Sequence, residues 1–218
     1  IGIDDAGRGP LIGPMILAGV LLDKNSEIAL KKLNIKDSKQ LHHPTRIRLS
    51  KIIKESVLAY HIVKTSPEAI DRAVNSKVNL NTLEAIKAAE IINQLNNKKQ
   101  TKVIIDCPSV NTKKWKSTLL DYIESPDNLI ISCEHKADEN HLSVGAASIL
   151  AKVEREDEVT KLKKEYGNIG SGYPSDPDTK QFLKTHGKKL ANSGIFRKSW
   201  ETWKKQFPET RQGTLDGF

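Results

Sequence analysis

Ile1-Gly2-Ile3-Asp4-Asp5-Ala6-Gly7-Arg8-Gly9-Pro10 opens the chain, a short apolar run followed by two adjacent carboxylates and an arginine between glycines. Along a β-strand successive side chains point to opposite faces, so Asp4 and Asp5 share one site only if the strand ends or kinks there. A strand end aimed at a hard cation is one reason for such a pair. Gly7 and Gly9 let the backbone approach a ligand closely, and Arg8 carries a planar fork of donors suited to phosphate. Carboxylates for a metal beside donors for phosphate point to a phosphodiester substrate. The same residues would also serve as an acidic turn with a surface arginine, and the rest of the chain decides between the two.

Working outward, Gly13-Pro14 precedes the apolar run Ile16 to Leu22, which predicts a second strand and an opening hairpin. Helices are predicted over Ser26 to Leu33 and over Pro44 to Val57, where Ile47, Leu49, Ile52, Ile53 and Val57 recur at helical spacing. A strand over Leu58 to Thr65 leads to a helix start at Ser66-Pro67-Glu68. Leu80 to Leu95 reads as a long helix packed on a sheet. Lys102 to Asp106 and Leu129 to Cys133 are short β-branched runs on either side of a helix over Trp115 to Ile123, the pattern of buried strands in an α/β sheet. Helix returns over Val144 to Leu162, a glycine- and proline-rich loop follows from Gly167 to Pro177, and the chain is then helical and basic to about Phe207.

The 218 residues suit one domain, or one domain with a modest appendage, and the formal net charge of +8 favours an anionic partner, nucleic acid first. No apolar run is long enough to span a bilayer and the opening has no signal-peptide pattern, so a cytoplasmic protein with no membrane association is expected. Cys107 and Cys133 each close an apolar run and read as small buried residues rather than a disulfide.

In open α/β sheets ligands gather at the carboxyl ends of strands, and acids stand at three such places: Asp4 with Asp5, Asp106, and Asp138 shortly after the Leu129 strand. Four converging carboxylates repel one another and call for cations, and oxygen-only ligands select Mg²⁺ or Mn²⁺. Two such ions can clamp the attacking and leaving oxygens of an in-line phosphoryl displacement. Singly, Asp106 and Asp138 are equally good helix caps; their meaning lies in the set.

The segments Gly2 to Pro10, Lys36-Asp37-Ser38-Lys39, Ile105-Asp106-Cys107-Pro108, Glu134-His135-Lys136-Ala137-Asp138, Ala146 to Val153, Gly170 to Pro177 and Arg197-Lys198-Ser199-Trp200 together resemble type 2 ribonuclease H, RNase HII, in its archaeal form. They run in the family's order across nearly the whole chain. The resemblance implies an α/β, ribonuclease H-like fold, a mixed central sheet flanked by helices, with residues 1–160 as catalytic domain, 161–207 as a helical C-terminal extension and 208–218 as a flexible tail. It implies hydrolysis of RNA in RNA/DNA hybrids and on the 5′ side of ribonucleotides embedded in duplex DNA, leaving 3′-hydroxyl and 5′-phosphate ends. By the same resemblance Asp4, Asp5, Asp106 and Asp138 are the catalytic, metal-binding acids of a two-ion Mg²⁺ or Mn²⁺ site. Gly7, Arg8 and Gly9 would contact the ribose 2′-hydroxyl and the neighbouring phosphate, and Tyr173 would pack on the sugar at the RNA-to-DNA junction. Lys39 and Lys136 become candidate phosphate contacts, a role that solvated surface lysines mimic in sequence. A monomer is expected.

One position departs from the family. Its opening pair is usually Asp-Glu, and this chain has Asp4-Asp5. The shorter acid reaches about an angstrom less, and a misplacement of that size can lower a rate on the order of a hundredfold. The alternative it raises is a non-cleaving adaptor that binds hybrid and clamp.

Arg197-Lys198-Ser199-Trp200-Glu201-Thr202-Trp203-Lys204-Lys205 sets two tryptophans about one helical turn apart among basic residues, the signature of an aromatic face docked on the core with its lysines outside. In the tail, Gln212, Leu215 and Phe218 fall three apart, so one helical turn aligns them. This resembles the sliding-clamp (PCNA) binding peptide, with one terminal aromatic where the fuller form has two. The alternative is an unstructured terminus.

Overall fold

The computed structural model describes residues 1–33, 35 and 41–208. Lys39 and the proposed clamp residues Gln212, Leu215 and Phe218 lie outside them. Among the described residues the five strands are β1 (Gly2–Ala6), β2 (Met15–Leu21), β3 (Ala59–Thr65), β4 (Thr101–Asp106) and β5 (Leu129–Glu134), in the order β3-β2-β1-β4-β5. β1–β2 and β2–β3 are antiparallel, and β1–β4 and β4–β5 parallel. The sheet is therefore mixed, as expected.

Helices cover both faces. On one side α3 (Pro67–Asn75), α4 (Leu80–Leu95) and α5 (Thr112–Leu120) pack over Ile3, Leu17, Val63, Val103 and Ile105. On the other, α1 (Lys24–Lys31), α2 (His43–Ser56) and α7 (Leu142–Tyr166) pack over Ile16, Ala18 and Val20, with α6 (Ala137–Asn140) leading into α7. α8 (Pro177–His186) and α9 (Glu201–Gln206) belong to the C-terminal extension. The local signals act as anticipated: Ser66 accepts from the Ala69 amide at 3.2 Å with Pro67 in the first turn, and Asn79 accepts from that of Thr82 at 3.0 Å. Two spans move. The helix expected from Trp115 begins at Thr112, because Asn111 caps it by accepting from the Lys114 amide. α7 runs on through residue 160 to Tyr166 and stops at Gly167.

The extension is not one continuous helix after Pro177. Leu11, Ile12, Ile169, Phe182, Phe196 and Trp203 form a third apolar cluster, and Ile12 pairs with Phe196 in an antiparallel bridge. Trp203 is buried there, as the aromatic-face reading expects, whereas Trp200 sits just before α9 as its N-cap residue. Both cysteines are unbridged, Cys107 buried and Cys133 partly so. Among the described residues no helix is long and apolar enough to cross a membrane.

The small residues at the start of α7 allow it to lie against β1. A Cβ built on Gly2 would stand 2.2 Å from the carbonyl carbon of Ser143 and 2.4 Å from the amide nitrogen of Val144. Gly2→Ala must therefore push α7 off the strand. We expect it to destabilise the fold by about 2–3 kcal/mol, seen in urea denaturation as a lower midpoint with an unchanged slope.

Candidate active site

β1 is the central strand, and its two neighbours release it at different points. Its pairing with β2 continues through Ala6↔Ile16, but the register with β4 stops at Ile3↔Ile105. Past Ile3 the β4 side of β1 is open, and that is where both acids stand. β1 itself ends at Ala6, one residue beyond the pair, close to the strand end that the sequence leads one to expect. Asp4 lies opposite Ala18, on the face of α7, and its carboxylate bonds with Ser148 of that helix. Asp5 lies opposite Leu17, on the face of α4, beside Glu84. Each acid is received by a different helix, and the two still meet at the open edge: Asp4, Asp5, Glu84 and Asp106 line one small recess with Trp115.

Asp106 ends β4 and accepts from the Ala137 amide at 2.9 Å, so it ties down the first turn of α6 from another part of the chain. Asp138, the next residue, is buried in this helix, directly after the residue whose amide Asp106 holds. It stands inside α6 rather than at a helix start: the residue before α7 is His141, and α6 follows Lys136. Lys136 holds a left-handed conformation with φ 56°, which turns the chain from β5 into α6.

The electrostatics follow from this gathering. Burial, the charge of Asp5 and then that of Asp106 raise the Asp4 carboxyl to about 8, against the pull of its bond with Ser148. Asp5 is raised to about 7 by burial and then by Glu84, with Arg8, Asp106 and Lys152 as further influences. Glu84 is itself raised to about 7 by burial, with Arg8 opposing. Glu84 escapes sequence reasoning because it sits among apolar positions of α4 and reads there as a solvated helix residue. Arg8 Nε bonds both its oxygens, at 2.9 and 3.0 Å, and Arg8 Nη2 donates to Asn81 Oδ1 at 2.6 Å.

Beside the recess a cleft of about 610 Å³ is lined by Asp5, Gly7, Arg8, Gly9, Lys152 and Tyr173, among others. Gly7 has φ +79°, and a Cβ there would meet Arg155 Nε at 2.7 Å, so no other residue fits without displacing that arginine. A Cβ on Gly9 would come within 3.5 Å of the Tyr173 ring, which is half exposed across the loop.

The donor set suits a hard divalent cation: carboxylate oxygens only, crowded enough that Asp4 and Asp5 resist ionisation until positive charge arrives. Among the described residues no three acidic, histidine or cysteine side chains are arranged so as to hold a metal ion. The acids are assembled at one edge rather than closed around a point.

The family sequence model for ribonuclease HII matches residues 1–203. The chain belongs to the ribonuclease HII family. Ribonuclease HII of Thermococcus sibiricus is 40% identical over 205 residues, covering 94% of this chain and 89% of that protein. Among solved structures, ribonuclease H2 from Pyrococcus horikoshii OT3 superposes with a TM-score of 0.83 at 39% identity, covering 94% of this chain and 95% of that one. RNase HII in the PCNA:RNase HII complex from Archaeoglobus fulgidus gives 0.81 at 37% identity, with 100% and 98% covered. The protein is thus a ribonuclease H endonuclease with the ribonuclease H-like fold, and enzymes of this family work with divalent metal ions.

The raised carboxyls give a pH signature. Well below pH 4 Asp4 and Asp5 are protonated in the folded and unfolded chain alike and their burial costs no ionisation; between about pH 4 and 8 the unfolded chain ionises first, so metal-free stability falls as pH rises. Asp4→Asn, which keeps an oxygen for Ser148 and the Asp5 amide, should stabilise the metal-free protein by about 1–3 kcal/mol at pH 8 and by almost nothing at pH 4. Urea denaturation in chelator at both values checks this; an equal gain at both would contradict it.

Proposed function

We propose that the protein hydrolyses the RNA strand of RNA/DNA hybrids and incises duplex DNA on the 5′ side of an embedded ribonucleotide, leaving a 3′-hydroxyl and a 5′-phosphate. The observation that carries this reading is the meeting on one cleft of Asp5 with Gly7, Arg8, Gly9 and Tyr173, which puts acid chemistry beside exposed backbone and an aromatic ring. A ribose 2′-hydroxyl both donates and accepts hydrogen bonds, and peptide groups bared by glycines suit it. Tyr173 would take the sugar at the RNA-to-DNA junction. Arg8 adds cationic potential to the wall beside Asp5, and Lys136, at the entry to α6, and Lys39 are assigned to backbone phosphates.

Asp4, Asp5, Asp106 and Asp138 would hold two Mg²⁺ or Mn²⁺ ions, which activate the attacking water and stabilise the leaving 3′-oxygen. Since burial and neighbouring acids raise the Asp4 and Asp5 carboxyls towards neutrality, ionising them fully is coupled to cation binding. Ser148 and the Asp5 amide, which bonds Asp4 Oδ1 at 2.7 Å, orient the Asp4 carboxylate, and the Ala137 amide orients that of Asp106. Residues 1–160 act as catalytic domain, 161–207 as its extension, and the protein works as a cytoplasmic monomer.

A DNA duplex holding one ribonucleotide tests the reading. Incision 5′ of the ribonucleotide is expected with Mg²⁺ or Mn²⁺, with none on an all-DNA duplex and a loss of about a thousandfold or more in Asp106→Asn. Asp5→Glu should keep or improve the rate. Binding without incision would instead favour an adaptor inactivated at Asp5.

The relative from Archaeoglobus fulgidus forms a complex with PCNA, and Gln212, Leu215 and Phe218 are our assignment for the corresponding contact here. A short tail that folds on binding can carry its affinity in few residues, and tethering to a clamp on DNA raises effective concentration. Deletion after Phe207 should abolish clamp capture while leaving incision of short duplexes within about twofold. Unchanged capture would reject the assignment.

A further inference from the structure

We propose that Arg197 and Trp200 are positioning residues that aim the Gly7-Arg8-Gly9 loop at the ribose, so that the distinction between RNA and DNA is set from the C-terminal extension. This rests on the function proposed above. Arg197 is fully buried, and its guanidinium reaches into the loop from behind. Nη2 donates to Gly7 O at 2.6 Å and to Gly13 O at 2.9 Å, Nη1 to Arg8 O at 2.7 Å, and Nε to Gly13 O at 3.1 Å. Trp200 Nε1 donates to the next carbonyl, Gly9 O, at 3.1 Å. Three consecutive carbonyls are thus held by two side chains three residues apart.

Peptide planarity turns this into an orientation. In a trans peptide the carbonyl and the following N–H point in opposite directions, and no peptide bond among the described residues is cis. With the Gly7 and Arg8 carbonyls drawn towards Arg197, the Arg8 and Gly9 amides point away from it, and it is this loop that lines the cleft. The two amides become a fixed pair of donors.

The clamp is itself braced. Asp71 of α3 accepts from the Lys198 amide at 2.8 Å, and from the Ser199 amide and hydroxyl at 2.9 and 2.6 Å, which pins the stretch between Arg197 and Trp200. The Arg197 amide donates to Leu11 O at 2.9 Å and that of Gly13 to Ile195 O at 2.9 Å. Arg197 also lies 5.1 Å from the Trp200 ring. Burying a guanidinium with Arg155 near enough to repel it is costly; an apolar side chain of similar volume would avoid that cost but leave the Gly7, Arg8 and Gly13 carbonyls without this donor. The fork supplies direction. Lysine keeps the charge, but a single ammonium cannot span three carbonyls.

The test compares wild type, Arg197→Lys and Trp200→Phe. Trp200→Phe removes one donor and keeps a ring for packing. Binding is measured in Ca²⁺ to a duplex with one ribonucleotide and to the all-DNA duplex, with kcat and KM for incision measured in Mg²⁺. For Arg197→Lys we expect all-DNA affinity within about twofold of wild type, the preference for the ribonucleotide duplex reduced about tenfold, and a loss of about thirtyfold carried mainly by kcat. Trp200→Phe should shift both readouts the same way by about threefold, with a melting temperature close to wild type. It decides the matter if Arg197→Lys fails to fold. Affinities and rates that fall together, with the preference intact, would make both residues merely structural and overturn the proposal. A wild type that neither incises nor prefers the ribonucleotide would overturn the functional reading and this inference with it, an outcome visible before any variant is compared.

Discussion

Bringing carboxylates together away from water is the constraint on which the rest of the molecule depends. Asp4, Asp5, Glu84 and Asp106 share one recess, and burial raises the carboxyls of the first three, with neighbouring acids adding to the rise at Asp4 and Asp5. The sheet makes it possible by letting β1 part from β4 after Ile3 while β2 still carries it. The helices then divide the load. α7 supplies Ser148 to Asp4, α4 supplies Glu84 near Asp5, and α6, which carries Asp138, is anchored by Asp106. Glu84 links the acids to the loop, since the Arg8 it binds opposes the rise of both Glu84 and Asp5.

Opposite charge is handled by the same logic one layer back. Arg155 and Arg197 are buried behind residues 7–13, where Arg155 donates to Ile12 O and Arg197 to three other carbonyls. Gly172 O accepts from the Leu11 and Ile12 amides, which places Tyr173 across from Gly9. The extension is therefore part of the site. Its apolar cluster includes Leu11 and Ile12, residues of the first hairpin connection.

Much of this was legible from the order of residues. The helix Leu80–Leu95 and the strand ends at Asp106 and near Cys133 follow from local periodicity, and Asp4, Asp5, Asp106 and Asp138 stand out as a set of acids at or shortly after strand ends, although Asp106 and Asp138 singly read as caps. What stayed hidden depends on tertiary partners. Glu84 looks solvated until Arg8 arrives from 76 residues away. Arg197 hides in a basic run whose neighbours do face water. Side-chain alternation calls for a strand end or kink at Asp4-Asp5, but the earlier release of β4 after Ile3 is a property of the sheet that no single strand encodes. The break in the extension beyond α8 likewise reflects its docking on residues 11–13.

The reach of Arg197 has a consequence for how the protein comes into being. Its bonds to Gly7 and Arg8 join residues 190 and 189 positions apart. Closures of such length cost the most chain entropy, and during synthesis they must wait until residue 197 has left the ribosome. A partly made chain already holds Asp4, Asp5, Asp106, Asp138 and all five strands, with Arg155 against the loop, yet lacks the Arg197 and Trp200 donors to its carbonyls. Synthesis thus places the fixing of the Gly7-Arg8-Gly9 loop after the making of the acids, and ties it to a chain made at least through Trp200.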